Sequence, residues 1–99
     1  DAQPTASPKE FSVTIAAPLP EAIEPKDDVM VSGNTEAGTT VVIQGPLDED
    51  VVIAGTDGAY AGRVTAVEGK SDITVTAYGA ERKQAQSTVT VYYTQEEFK

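Results

Sequence analysis

Two acidic runs, Asp27-Asp28 and Asp48-Glu49-Asp50, are the densest concentrations of reactive side chains in the chain. Clustered carboxylates suit a hard cation, and calcium takes about six to eight oxygen ligands. Asp27, Asp28, Asp48 and Asp50 are therefore the candidate calcium ligands, although their spacing is not that of an EF-hand loop. The competing expectation is that both runs are solvated loop tips. Paired carboxylates can also hydrolyse a glycoside, but only when they flank a sugar held in a cleft. Acids on the loops of so small a domain enclose no substrate. The sequence thus points away from an enzyme and assigns no catalytic residue.

Tyrosine is the second group with chemistry. A flat ring with a polar tip suits sugar faces and protein surfaces. There are four Tyr and no Trp. Tyr60 and Tyr93 alternate in register with apolar neighbours and are expected to be buried. Tyr78 and Tyr92 fall on the opposite register and are the candidate ligand-binding residues, as a small platform of two exposed rings. The competing expectation is simple cross-strand pairing on a wet sheet face.

Other chemistry is excluded by absence. The chain has no Cys and no His, so it forms no disulfide, no Cys/His zinc site and no Ser-His-Asp or Cys-His nucleophile. Asn34 is the only Asn and lies in a turn, which argues against a buried Lys–Asn isopeptide bond. Asn34-Thr35-Glu36 is not a glycosylation sequon.

Seven basic residues stand against sixteen acidic ones, for a net charge of −9 over 99 residues. Residues 1–50 carry −8 of that charge and residues 51–99 carry −1. Such a surface repels phosphate backbones and anionic lipid heads, so no nucleic-acid partner is expected. No apolar run approaches the roughly 18 residues of a membrane span, and no membrane insertion by this segment is expected.

These side chains must be carried by strands. Twelve Val and five Ile face only two Leu, and twelve Thr accompany them. β-branched residues lose rotamer freedom in helices and pack well on pleated surfaces. Phe11, Val13 and Ile15 alternate with Ser12 and Thr14, and Pro18 and Pro20 end that strand by about Ala17. Ala22 to Asp28 reads as an acidic connection. Strands follow at Val29–Val31, Thr40–Gln44, Val51–Ala54, Tyr60–Val64, Ile73–Tyr78 and Gln86–Tyr93. Gly38 supplies a positive φ in the turn after Asn34. Asp57-Gly58 is the strongest hairpin signal, because Asp-Gly readily adopts the primed turn that matches strand twist. Pro18, Pro20 and Pro46 are positioned to blunt sheet edges. The expected fold is an all-β, Ig-like antiparallel sandwich of about seven strands spanning residues 11–94. Residues 1–10 are expected to be a flexible Pro/Ser/Thr linker and residues 95–99 a tail.

With strands and turns assigned, a family pattern emerges. The segment Val29-Met30-Val31-Ser32-Gly33-Asn34-Thr35-Glu36-Ala37-Gly38-Thr39-Thr40-Val41 resembles the V-x-V-S-G-x-T-x-x-G-x-x-V opening of bacterial Ig-like domains. Asp57-Gly58-Ala59-Tyr60 resembles their D-G-x-F/Y turn, and Glu68-Gly69 with Ile73–Ala77 resembles E-G-x-N-x-I-T-V-T-A. Thr88–Tyr93 is similar to their closing strand. Within that family the chain most resembles the accessory Ig-like domain of glucodextranase and of many surface and envelope proteins. It departs at Ser71, where the family has Asn, and at Ala66, where the family has a large aliphatic residue.

The resemblance implies a fold and a class of role, and it carries no catalytic residue. The implied role is a non-catalytic spacer or display module of a bacterial cell-surface or secreted protein, extracellular in location. Its partners would be neighbouring domains of the same polypeptide. The alternatives are a carbohydrate- or protein-binding module, as in an adhesin or an accessory domain of a carbohydrate-active enzyme, and the extracytoplasmic sensor domain of an envelope regulator. A glycan or protein ligand would then engage Tyr78, Tyr92 or the acidic loop at Asp48–Asp50.

Overall fold

The structure, a computed structural model, describes residues 11–94. The expected linker 1–10 and tail 95–99 lie outside the described residues. Eight strands follow one another: β1 (Thr14–Ala17), β2 (Ala22–Glu24), β3 (Asp28–Asn34), β4 (Thr40–Gln44), β5 (Glu49–Ile53), β6 (Ala59–Thr65), β7 (Gly69–Tyr78) and β8 (Gln84–Tyr93). They form a three-stranded sheet in the order β1-β3-β6 and a five-stranded sheet in the order β2-β8-β7-β4-β5. This is the expected Ig-like β-sandwich. Among the described residues no helix is long and apolar enough to cross a membrane.

Alternation builds the core as the sequence requires. Val29 and Val31 from β3, Val41 and Ile43 from β4, Ile73, Val75 and Ala77 from β7, and Val91 from β8 are almost wholly removed from solvent. Burying each Val or Ile contributes about 1.5–3 kcal/mol, so these side chains dominate the sandwich. Tyr60 and Val64 close the core from β6.

Two expectations are corrected. An eighth strand, β2, lies within what reads as an acidic connection, and it runs parallel to β8 with Ala22 beside Val91 and Glu24 beside Tyr93. Three residues between prolines, with Ile23 facing solvent, leave no alternation to detect. The Asp57-Gly58 turn, secondly, is not a hairpin. It joins β5 to β6, which belong to different sheets. Gly58 has a φ of +85°, while Asp57 is not in the left-handed region. The turn closes locally, with the Gly58 amide donating to the Gly55 carbonyl at 2.9 Å. Local chemistry specified a turn but not the sheet that the next strand would join.

The connection that does have primed geometry is the β7–β8 hairpin. Glu81 and Arg82 both have positive φ, at 59° and 65°, and the Lys83 amide donates to the Ala80 carbonyl at 3.1 Å.

The described chain enters and leaves at opposite ends of the sandwich. Phe11 sits where a Cβ at Gly79 would touch its ring, just beyond the end of β7. Tyr93 pairs with Gly69 at the start of β7. The ten residues of β7 separate these two poles by about 30 Å.

Candidate functional site

The four candidate calcium ligands lie near one pole, where β3 begins and β6 ends, but the structure gives three of their carboxylates other partners. Asp28 Oδ2 accepts a hydrogen bond from Arg63 Nη1 at 2.6 Å, an exposed ion pair. Asp48 Oδ1 accepts the Thr65 backbone N–H at 2.8 Å, and its Oδ2 accepts the Thr65 hydroxyl at 2.7 Å. Asp50 Oδ2 accepts the Arg63 backbone N–H at 3.0 Å. Asp27 contributes its carbonyl, which accepts the Ala66 amide at 2.8 Å. Among the described residues no group of three or more acidic side chains is arranged to hold a metal ion. The expectation of calcium at Asp27, Asp28, Asp48 and Asp50 therefore rests on the sequence alone, with the carboxylates of Asp28, Asp48 and Asp50 engaged by protein groups. Proximity in sequence brought the acids to one end of the fold, but backbone amides and an arginine engage them.

The Asp48 bonds also govern its titration. The Thr65 N–H, and after it the Thr65 hydroxyl, hold the Asp48 carboxyl below the ordinary carboxylate range.

Asp57 behaves in the same way at the other end of β6. Its Oδ1 accepts the Ala59 N–H at 3.0 Å. β6 is the outer strand of its sheet and pairs only with β3. Ala59, Arg63 and Thr65 are separated by even steps, so their amides point to the same side of the strand. No strand pairs with that side, although β5 and the turn at Gly45 pack against it, so that a Cβ at Gly45 would fall 2.9 Å from Val64 Cβ. Three aspartates, one from the β4–β5 connection, one from β5 and one from the β5–β6 connection, thus occupy amides that would otherwise await a neighbouring strand. The sequence marked Asp48 and Asp50 as ligand candidates but gave no sign that their ligand was the protein's own backbone.

The tyrosines follow the expected registers. Tyr60 is 4% exposed and Tyr93 half-buried, whereas Tyr78 and Tyr92 are 47% and 39% exposed. The expectation of one shared platform is corrected. Tyr92 lies opposite Lys70 and Tyr78 opposite Gln84, so eight residues of β7, about 27 Å, separate the two positions. Each ring has different neighbours. Across the sheet, Tyr92 is flanked by Ile23 and Lys70, and Tyr78 by Gln84 and Thr40, with Ile53 one strand further. Between them runs a polar ladder, in which the Thr90 hydroxyl donates to Asp72 Oδ1 at 2.7 Å and Gln86 Nε2 donates to Thr76 Oγ1 at 3.2 Å.

Two buried polar groups tie the sandwich together. Tyr60 Oη donates to the Thr14 carbonyl at 2.6 Å, and burial raises its pKa to about 12. Ser71 is 1% exposed; it accepts the Val67 amide and donates to the Val67 carbonyl, both at 3.0 Å. The Ser71 hydroxyl therefore holds the loop before β7 at the position where the resembled family carries Asn.

No protein-family model matches the chain, and no curated protein sequence matches it. Solved structures do. The fold is similar to the fibronectin(III)-like modules of Clostridium thermocellum CbhA, with a TM-score of 0.63 and 18% identity over 86% of this chain and 99% of that one. It is also similar to part of a carbohydrate acetylesterase from Xanthomonas citri, with a TM-score of 0.63 and 18% identity over 82% of this chain. The chain spans 19% of that esterase's length.

Proposed function

We propose that this chain is a non-catalytic Ig-like spacer or display module within a larger bacterial cell-surface or secreted polypeptide, of the type appended to glucodextranase. Its partners are the neighbouring domains of the same polypeptide, and its location is extracellular. One observation carries the reading: the chain enters at one pole and exits at the other, and its early strand β2 lies parallel to its last strand β8. Tension between the ends pulls β2 and β8 in opposite directions along their axes. The paired rungs are then loaded together in shear and must fail cooperatively, which suits a unit connected in series. The likeness to a fibronectin(III)-like module of similar length adds support.

The chain has no Cys, so two introduced cysteines define a unique pulling pair for single-molecule force measurement. Handles at Ser12 and Thr94 load the β2–β8 rungs in shear, whereas handles at Glu68 and Thr94 peel β8 from β7. The reading expects a higher unfolding force for the first pair. Equal forces, or a weaker first pair, would remove its mechanical basis.

A second reading, a module that binds glycan or protein, is favoured by the exposed rings of Tyr78 and Tyr92. Because the two rings are far apart, it requires separate contacts or one extended ligand. A glycan array or partner pull-down whose signal falls with Tyr92→Ala or Tyr78→Ala would favour it, and an unchanged signal in both variants would end it.

A further inference from the structure

We propose that Asp48, Asp50 and Asp57 form an edge cap on β6, which keeps that strand from pairing with β6 of a second copy of this chain. The free edge of a sheet presents unpaired amides that template the addition of another strand. Here the unpaired side of β6 meets three carboxylates, Asp57 at Ala59, Asp50 at Arg63 and Asp48 at Thr65, while the Ala61 amide between them meets none of the three. A carboxylate accepts hydrogen bonds and donates none, so it satisfies the amide while offering an incoming strand nothing to pair with.

The occupant excluded is a second copy, because β6 is self-complementary. An antiparallel pair of β6 strands centred on Ala61 sets Ala59 of one copy against Arg63 of the other. The side chains at Ala59 and Ala61 are small, and no like charges on β6 itself face each other across the pair. A two-fold pairing of this kind is the usual form of homodimer. The charged groups at the edge are Asp28 on β3, paired to Arg63, together with Asp48, Glu49 and Asp50 from the β4–β5 connection and β5, and Asp57 from the β5–β6 connection. Arg63 is thus held outward by Asp28 while its amide is held by Asp50.

The test uses the full 99-residue chain. Amide hydrogen exchange is measured at Arg63 and Thr65, and mass in solution by light scattering, for wild type, Asp48→Ala/Asp50→Ala and Asp48→Asn/Asp50→Asn. The Asn pair keeps an oxygen acceptor and removes the charge. In dilute solution the Ala variant is expected to exchange these two amides about tenfold or more faster than wild type. As concentration rises it is expected to become dimeric, with both amides protected again. The Asn variant is expected to remain monomeric with near-wild-type exchange. A folded Ala variant that stays monomeric as concentration rises overturns the proposal, whatever its exchange rates, and so does an Asn variant that dimerises like the Ala variant. If the double Ala variant does not fold, Asp48→Ala alone decides: faster exchange at Thr65 in dilute solution with dimerisation as concentration rises supports the proposal, and a variant that stays monomeric overturns it.

Discussion

The hydroxyl of Tyr60 reaches past β3 to donate to the backbone carbonyl of Thr14 on β1, at 2.6 Å. The space it needs is supplied by Gly33, the residue of β3 that lies opposite Tyr60. A Cβ at Gly33 would run into the Thr14 carbonyl and approach the Tyr60 oxygen to 2.7 Å. One glycine and one tyrosine thereby fasten the first strand to the sandwich. Gly33→Ala is expected to destabilise the fold by about 2–3 kcal/mol through overpacking. Tyr60→Phe, which strands a carbonyl without creating a clash, is expected to cost about 1–2 kcal/mol. Urea denaturation with an unchanged slope would report both; a neutral Gly33→Ala would contradict the close approach.

The same tyrosine sets an alkaline limit. Its pKa is raised by burial to about 12 in the folded chain, while an unfolded tyrosine ionises near 10. The stability linked to this group is therefore fully present below pH ~10 and is lost as pH rises from there through the folded value. Stability measured across this window should fall less steeply in Tyr60→Phe than in wild type. Parallel slopes would show that Tyr60 is not the group responsible.

Asp48 sets an acid limit with the opposite sign. Its carboxyl is held below the ordinary range by the Thr65 N–H and hydroxyl. Its contribution is present above the unfolded value, about 4, and is lost as pH falls through the lower folded value. NMR titration of the Asp48 carboxyl should give a midpoint below that of the Thr65→Val variant, which retains the N–H and lacks the hydroxyl. Identical midpoints would show that the hydroxyl does not contribute.

The β7–β8 hairpin carries a correctable strain. Glu81 and Arg82 occupy the left-handed region, which costs an L-residue with a Cβ about 1–2 kcal/mol. Asn-Gly is the sequence that such a primed turn prefers. Glu81→Asn with Arg82→Gly is expected to raise stability by about 1–2 kcal/mol, read as a higher melting temperature. A lowered melting temperature would mean that the Glu81 and Arg82 side chains make compensating contacts.

Ser71 offers a fifth measurement. Removing its hydroxyl leaves the Val67 amide and carbonyl without these partners at a buried position. Ser71→Ala should cost about 2 kcal/mol. A neutral substitution would show that water replaces the hydroxyl without penalty.

What could be read from the chain follows from the range of each signal. Alternation is local and two-sided, so Ile73, Val75 and Ala77 announced their burial, and Tyr78 and Tyr92 their exposure, before any fold was known. Sheet membership is not local. Asp57-Gly58 advertised a hairpin and instead carries the chain between sheets, while Glu81-Arg82 gave no such sign and forms the primed turn. β2 escaped notice because its partner, β8, lies some seventy residues later in the sequence. The acidic residues were visible as chemistry, but their destinations, the amides of a strand beginning 2–11 residues downstream of them, depended on which edge that strand would occupy.

Opposite-pole ends also determine how copies can be joined. A string of such units gains about 30 Å of contour with each repeat. Circular permutation of a single unit would need a bridge of about nine extended residues to span the same distance. The architecture lends itself to concatenation and resists closure upon itself.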